Sequence, residues 1–355
     1  MELITPSTVD VESKPWSSRS RTLEAFAESM RVQLRRLETW CADREKRMLH
    51  AHLQNGTSIA ISLLELEKAI KDTFSDTFNT LRGVLVSLFP NFAYRCKEKI
   101  SAYVDDSPSL FACHLLDTLF ASLHSRNSYG DNVAAASIMN VFVQTAEPIW
   151  GMLGCWFHDG IFMQQGGCVS SDLASLPQEF FIEYHGVNPT DSDFWSDGYQ
   201  LRASPFSDGS SGGVPSFLRP ISEAILSAGK SIGLLRILGL DETLIEVQNE
   251  FSGGIWPKFD EFMLKNPSRP LTGVLLSMGP AMLSGVSSVD DLALFLCDRL
   301  MSFCSTVGKT LQSTLFTECK LLIHLSAVED LFLMRKGDYM SDFCDALFAR
   351  VRYTN

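Results

Sequence analysis

A chain of 355 residues that is 45% hydrophobic and 20% charged can bury the core of two domains or of one elongated one. Its net charge of −12, with no basic block to offset it, argues against a surface for nucleic acid or for an anionic membrane. Nine cysteines (41, 96, 113, 155, 168, 297, 304, 319 and 344), odd in number and never in a CxxC pair, read as buried thiols of a reducing compartment.

Residues 1 to 20 carry Pro6, Pro15 and several serines with little apolar content, and the spacing predicts a tail there. From Leu23 the pattern changes. Leu23, Phe26, Met30, Leu34, Leu37, Cys41 and Met48 recur every three or four residues, with charges between them, which predicts a long amphipathic helix. Asn55-Gly56 ends it, and Thr57 or Ser58 can cap the next. The second helix takes Ile59, Leu63, Leu66, Ile70, Phe74, Phe78, Leu81, Leu85 and Leu88 inward until Pro90. The short turn between the two implies an antiparallel pair.

A further helix opens at Ser107-Pro108, with Leu110, Phe111, Leu115, Leu119 and Leu123 inward, and stops in the polar loop 125–130. Asp131 starts another, which Glu147-Pro148 is expected to kink or break. Trp150, Leu153, Trp156, Phe157 and Ile161 then form a dense aromatic cluster. Glycines and prolines mark 163–214 as loops, with the segment EFFIEY at 179–184 as a strand or a tucked extended piece. Ser207 to Gly213 reads as a flexible linker.

From Pro215 to Gly239 the chain reads as a helix of about six turns. Pro220 suits its first turn. Leu218, Ile221, Ile225, Ala228, Ile232 and Leu235 line one face, and Gly239 sits where a left-handed cap is wanted. Within it, Ala228-Gly229-Lys230-Ser231 invites comparison with a phosphate loop. That reading fails, because position 224 is Ala and not Gly and N–H groups inside a helix are already bonded. Ser227 with Lys230 has SxxK spacing without its partner motifs. The plainer expectation is that Gly229 admits a close neighbour and Lys230 leaves through the polar face. Beyond lie a short helix at 241–247, a loop-rich stretch at 267–285, and amphipathic segments at 290–311 and 315–334. Arg335-Lys-Gly337 then breaks the pattern, and a last helix begins at Asp338. With no internal repeat and no strand-turn-strand ladder, the fold class expected is all-α, an elongated array of helical bundles.

Few residues suggest chemistry. His50 and His52 point apart on a helix. His114 and His324 stand singly, as core or boundary histidines before they are ligands. His158-Asp159 resembles an acid–base dyad, but sequence neighbours rarely face one site. Asp105-Asp106 and Asp290-Asp291 suit helix N-termini. No GxSxG elbow or HExxH occurs. No catalytic set assembles, and no enzyme activity, metal or cofactor is expected. The polar N-terminus and the lack of a long apolar run lead to the expectation of a soluble cytoplasmic protein. The stretch nearest to such a run, Leu271 to Val286, is interrupted by glycines and Pro280.

Five segments come in a distinctive order over about residues 140 to 350. They are Pro148 with Trp156 and Gly160; EFFIEY with Glu179, Phe180 and Phe181; FWSDGYQLR with Phe194 and Trp195; SFLRPISEAILSAGKSIGLLR with Leu218, Gly229 and Lys230; and HLSAVEDLFLMRKGDYMSDFCDAL with Gly337 and Asp338. Together they resemble the N-terminal grip domain of the gamma-tubulin complex components, the Spc97/Spc98 family, most like the fifth or sixth component.

The resemblance implies that these are structural motif residues. It implies an N-terminal grip domain over 21–322 and the start of a truncated C-terminal one over 323–355. It also implies lateral contacts with related components in a ring that templates microtubules at a microtubule-organising centre, spindle pole body or centrosome. Gamma-tubulin itself is expected as an indirect partner, or a direct one only in a longer chain. Nucleic acid and membrane are not expected partners. The runner-up is a helical tethering or scaffold subunit of another complex.

Overall fold

The computed structural model of the chain describes residues 20–55, 63–89, 108–130, 132–160, 179–185, 187, 191, 193–202, 213–252, 255–264, 289–333, 335 and 337–354. The expected tail before residue 20, the turn at 56–58 with Ile59, Asp105 and Asp106, Asp131, Ile161, and the stretches 163–178, 207–212 and 267–285 lie outside the described residues.

The described chain is an all-α array, apart from one two-stranded sheet. Helix α1 (Arg21–Asn55) ends where Asn55-Gly56 predicts. Its buried stripe is mostly polar, because Thr22, Ser29 and Gln33 are buried with Phe26. Small residues let α1 lie close, and Ser29 returns its hydroxyl to the carbonyl of Phe26 at 2.7 Å. Leu34, Cys41 and Met48 of the expected stripe are exposed, so only the first half of α1 follows its apolar period inward.

Helices α2 (Leu63–Ile70) and α3 (Asp76–Leu88) are continuous through a π-helical turn, Lys71–Ser75. That turn holds an extra residue and rotates the apolar stripe. Within it Phe74, and beyond it Thr77, Leu81, Val84 and Leu88, are buried, whereas before it no residue of α2 is. Helix α4 (Pro108–Ser128) buries Phe111, Leu115, Leu119 and Leu123 as expected.

Helix α5 (Asn132–Asp159) is the hub, packed by α1, α3 and α4. Of the kink or break expected at Pro148, the break does not occur, and the helix is continuous through it. An interior proline costs roughly 3 kcal/mol. Ile149, Trp150, Met152, Leu153, Trp156 and Phe157 are all buried just beyond it, at roughly 1.5–3 kcal/mol each, and that outweighs the proline.

Strands β1 (Ile182–Tyr184) and β2 (Tyr199–Leu201) pair antiparallel, with Ile182 opposite Leu201 and Tyr184 opposite Tyr199. The one-turn helix α6 (Phe194–Asp197) stands between them. The strand alternative for 179–184 holds at Ile182–Tyr184, and the sequence reading lacks only its partner at Tyr199–Leu201. Three-residue strands carry too short an alternation to be seen in the sequence.

A 3₁₀ turn at Arg219–Ile221 enters α7 (Ser222–Ile237). Then come α8 (Asp241–Ser252), α9 (Phe259–Leu264), α10 (Val289–Thr317), α11 (Leu321–Phe332) and α12 (Gly337–Thr354). The interruption expected between Leu311 and Leu315 is absent. Leu311 and Thr314 are both buried, so the packed face persists, and the chain turns only at Lys320, with φ 49°. One apolar core runs from Phe26 of α1 to Leu311 of α10, and among the described residues α11 and α12 place none buried in it.

Candidate functional site

Helix α7 is where the motif residues meet. Leu218, Ile221, Ile225, Ala228, Ile232 and Leu235 are all buried, as their spacing predicts. Ser222, Gly229, Lys230, Ser231 and Gly233 are buried as well, because α5, α8, α10 and β2 pack around the helix. Its entry is fixed by Asp117 of α4, whose Oδ1 accepts the N–H of Ser216 at 2.6 Å. Its exit is Gly239, with φ +74°. There the N–H of Gly239 reaches the carbonyl of Arg236 at 2.9 Å and that of Leu240 reaches Leu235 at 3.1 Å, a Schellman cap.

Two glycines let α5 and α7 approach. A Cβ on Gly229 would overlap the indole of Trp156, whose Nε1 donates to the carbonyl of Ile225 at 2.9 Å. Gly160 ends α5 with φ +69°, and a Cβ there would lie 2.5 Å from the backbone nitrogen of Gly233. The expectation that Gly229 admits a close neighbour therefore holds, and the neighbour is a tryptophan.

Lys230 corrects its expectation. It is buried, not directed to solvent. Its Nζ donates to the carbonyl of Trp195 at 2.6 Å and to that of Ser196 at 3.4 Å. Burial pulls the ammonium below the usual lysine range, against Asp197 and Glu223, which favour the charge. The lysine thus pins the α6–β2 turn onto α7. Since residues 228–231 lie in mid-helix, no phosphate cradle exists there.

The rest of the 179–202 segment packs beside it. Trp156 meets Phe180 at 6.4 Å and Tyr199 at 5.4 Å between ring centroids. Phe181 and Phe194 are buried, and Trp195 points partly outward. Arg202 donates through Nε to the carbonyl of Phe180 at 3.1 Å. Glu179 is buried and accepts the N–H of Thr22 at 3.4 Å, so it caps α1 from a distant segment. Burial pushes its carboxyl upward, while bonds from Ser20, Thr22 and Arg21 pull the other way.

Of the predicted motif residues, Trp156, Gly160, Phe180, Phe194, Trp195, Gly229 and Lys230 converge on this junction, and Glu179, Phe181 and Leu218 support it. Pro148 lies farther back on α5. Gly337 and Asp338 begin α12, exposed and outside the cluster.

Gly154, Trp256, Pro257 and Phe259, not singled out in the sequence, make parallel contacts with Trp150 and Glu147. Trp256 fills the space beside Gly154, and its Nε1 donates to the carbonyl of Trp150 at 3.0 Å; Trp150 returns a bond to Pro257 at 2.8 Å. Glu147 accepts the N–H of Phe259 at 2.8 Å, at the start of α9. The only signal for these was the tryptophan–glycine spacing of 150–156.

Among the described residues the remaining candidates do not form a catalytic set. His50, His114 and His324 are exposed, so His114 and His324 are not core histidines. His158 Nδ1 does lie 2.7 Å from Asp159 Oδ1, contrary to the rule that sequence neighbours face apart. Their surroundings are structural, because Arg236 donates to the carbonyl of His158 at 2.7 Å and Gln248 to that of Phe157 at 2.9 Å. These bonds close the C-terminal end of α5. Cys113 and Cys304 are buried, and burial raises both thiols, Cys304 to about 12, which leaves them unreactive. Cys41 is exposed, against the buried reading. Among the described residues no group of three His, Cys, Asp or Glu could hold a metal, and no helix is long and apolar enough to cross a membrane.

Residues 10–318 match the family model described as "Gamma tubulin complex component N-terminal". A search of curated proteins found no match.

Proposed function

Because the chain belongs to the gamma tubulin complex component family, we propose that it acts as a lateral structural subunit of the gamma-tubulin ring complex. The family is one of microtubule nucleation and the cytoskeleton, and it is a scaffold family and not an enzyme family. In this reading residues 21–322 form the lateral domain, and 323–355 open a second, C-terminal domain. The partners are the N-terminal halves of related components, and gamma-tubulin is reached through them. The place of work is a microtubule-organising centre, at a spindle pole body or centrosome.

The observation that carries the reading is the match over residues 10–318, laid on a helical array in which buried Glu179 and Lys230 brace neighbouring segments. Trp156, Glu179, Gly229 and Lys230 serve this function by holding α1, α5, α7 and the β-hairpin as one body. Affinity purification of the tagged chain from cells tests it. Recovery of related components is the expected result. Recovery of membrane-tethering subunits in their place would restore the tethering alternative.

A further inference from the structure

Helix α1 is long, and little apolar burial holds it. Among its described side chains one large apolar residue, Phe26, is buried, while Leu23 and Met30 pack against the core partly exposed. Trp40 adds an edge-on contact with Phe74 at 5.7 Å. Helix α7, less than half as long, buries Ile225, Ala228, Ile232 and Leu235. The rest of the seat of α1 is polar. Thr22, Ser29 and Gln33 are buried, and Arg36 donates to the hydroxyl of Ser137 on α5 at 3.0 Å. Ala134, Val141 and Thr145 share the stripe of α5 that carries Ser137, and all four are buried and small or branched. Apolar adhesion scales with the apolar area removed from water, and such a seat removes little.

The N-terminal end of α1 combines a weak point and a fastening. Thr22 Oγ1 is buried and, among the described residues, has no partner. An unpaired hydroxyl favours the open form, where water reaches it. The fastening comes from a distant segment. Glu179 accepts the N–H of Thr22 at 3.4 Å, and Ser20 and Arg21 bond it as well. Glu179 is fixed to the body without α1, because Phe180 and Phe181 beside it are buried in the core and Lys230 holds the α6 turn.

We propose that α1 is a latch, which lifts from α5 as a unit while the remaining core stays folded, and that Glu179 is its catch. Released from the body, α1 loses the tertiary packing from which most helical stability comes, so its amides exchange in the open form. The latch does not depend on the lateral role proposed above.

Hydrogen exchange of the whole chain at low urea, read by mass spectrometry, tests the proposal. Amides of 26–36 should exchange at least about tenfold faster than those of 225–235, with a weaker dependence on urea. Ile225→Val weakens α7, which stays folded when the latch is open. It should speed exchange at 225–235 about fivefold and leave 26–36 unchanged. Glu179→Ala should exchange at 26–36 about fivefold faster than Glu179→Gln, which keeps an acceptor for the Thr22 N–H. Thr22→Val, which removes the unpaired hydroxyl, should slow 26–36 about threefold. Equal acceleration of both segments by Ile225→Val overturns the proposal, because α1 then opens only with the whole fold. Equal rates at 26–36 in the Ala and Gln variants, or no slowing by Thr22→Val, overturn it too.

Discussion

The indole of Trp156 stands where a side chain on Gly229 would have to go, and its Nε1 donates to the carbonyl of Ile225 at 2.9 Å, one turn earlier in the same helix. The glycine makes room for the ring, and the ring's hydrogen bond fixes the register of α5 on α7. Gly229→Ala is therefore expected to cost roughly 1–3 kcal/mol through overpacking. Gly83→Ala is the control: nothing lies within 4 Å of a Cβ there, and an exposed helical glycine gains up to about 1 kcal/mol on the change. Urea denaturation of both variants checks this, and equal midpoints would contradict the Trp156 contact.

Lys230 bonds two carbonyls of the α6 turn from inside the fold. Lys230→Met keeps the aliphatic stem and removes the donor, so a loss of roughly 1–3 kcal/mol is expected. Its pH dependence has a definite sign. Burial lowers the folded pKa below the unfolded 10.5. In the window between the two, the unfolded chain binds more protons, so wild-type stability rises with pH relative to the Met variant. Denaturation of both proteins across alkaline pH measures the difference, and a falling difference would show that the ammonium is favoured by its site.

Glu179 behaves oppositely. Its folded pKa is raised above 4.5, chiefly by burial. The corresponding stability is fully present below the unfolded value and is lost as pH rises through the folded one. Glu179→Gln keeps an acceptor for the N–H of Thr22 and cannot ionise. Wild type should thus lose stability relative to the Gln variant as pH rises above about 4.5. Glu179→Ala, which also removes the cap, should be less stable than Glu179→Gln by about 1 kcal/mol at every pH. Thermal melts of the three proteins between acid and neutral pH decide it.

The helices were legible because their apolar residues repeat at a helical period, and Leu218 to Leu235 all went inside as that period requires. Periodicity counts one buried face, however, and α7 has neighbours on several sides. Lys230 was therefore placed in solvent, although a distant turn reaches over to meet it. The same limit explains Thr22 and Ser29, small polar residues that α1 buries because they allow close packing. Pro148 leaves α5 unbroken because six large side chains are buried beyond it, which a local rule about prolines does not count. The π turn at Lys71–Ser75 shifts a stripe by one residue, and nothing in the residue types marks it. Trp156 and Gly229 were each visible as motif residues, but only the fold joins them.

Binding between purified proteins tests the central claim most directly. Residues 21–355 are immobilised, and the N-terminal half of a related component and gamma-tubulin are offered separately at matched concentrations. Retention of the component's N-terminal half, without retention of gamma-tubulin alone, is the result the lateral role requires. Retention of gamma-tubulin with no retention of the partner's half would contradict that role, and retention of neither would remove its support.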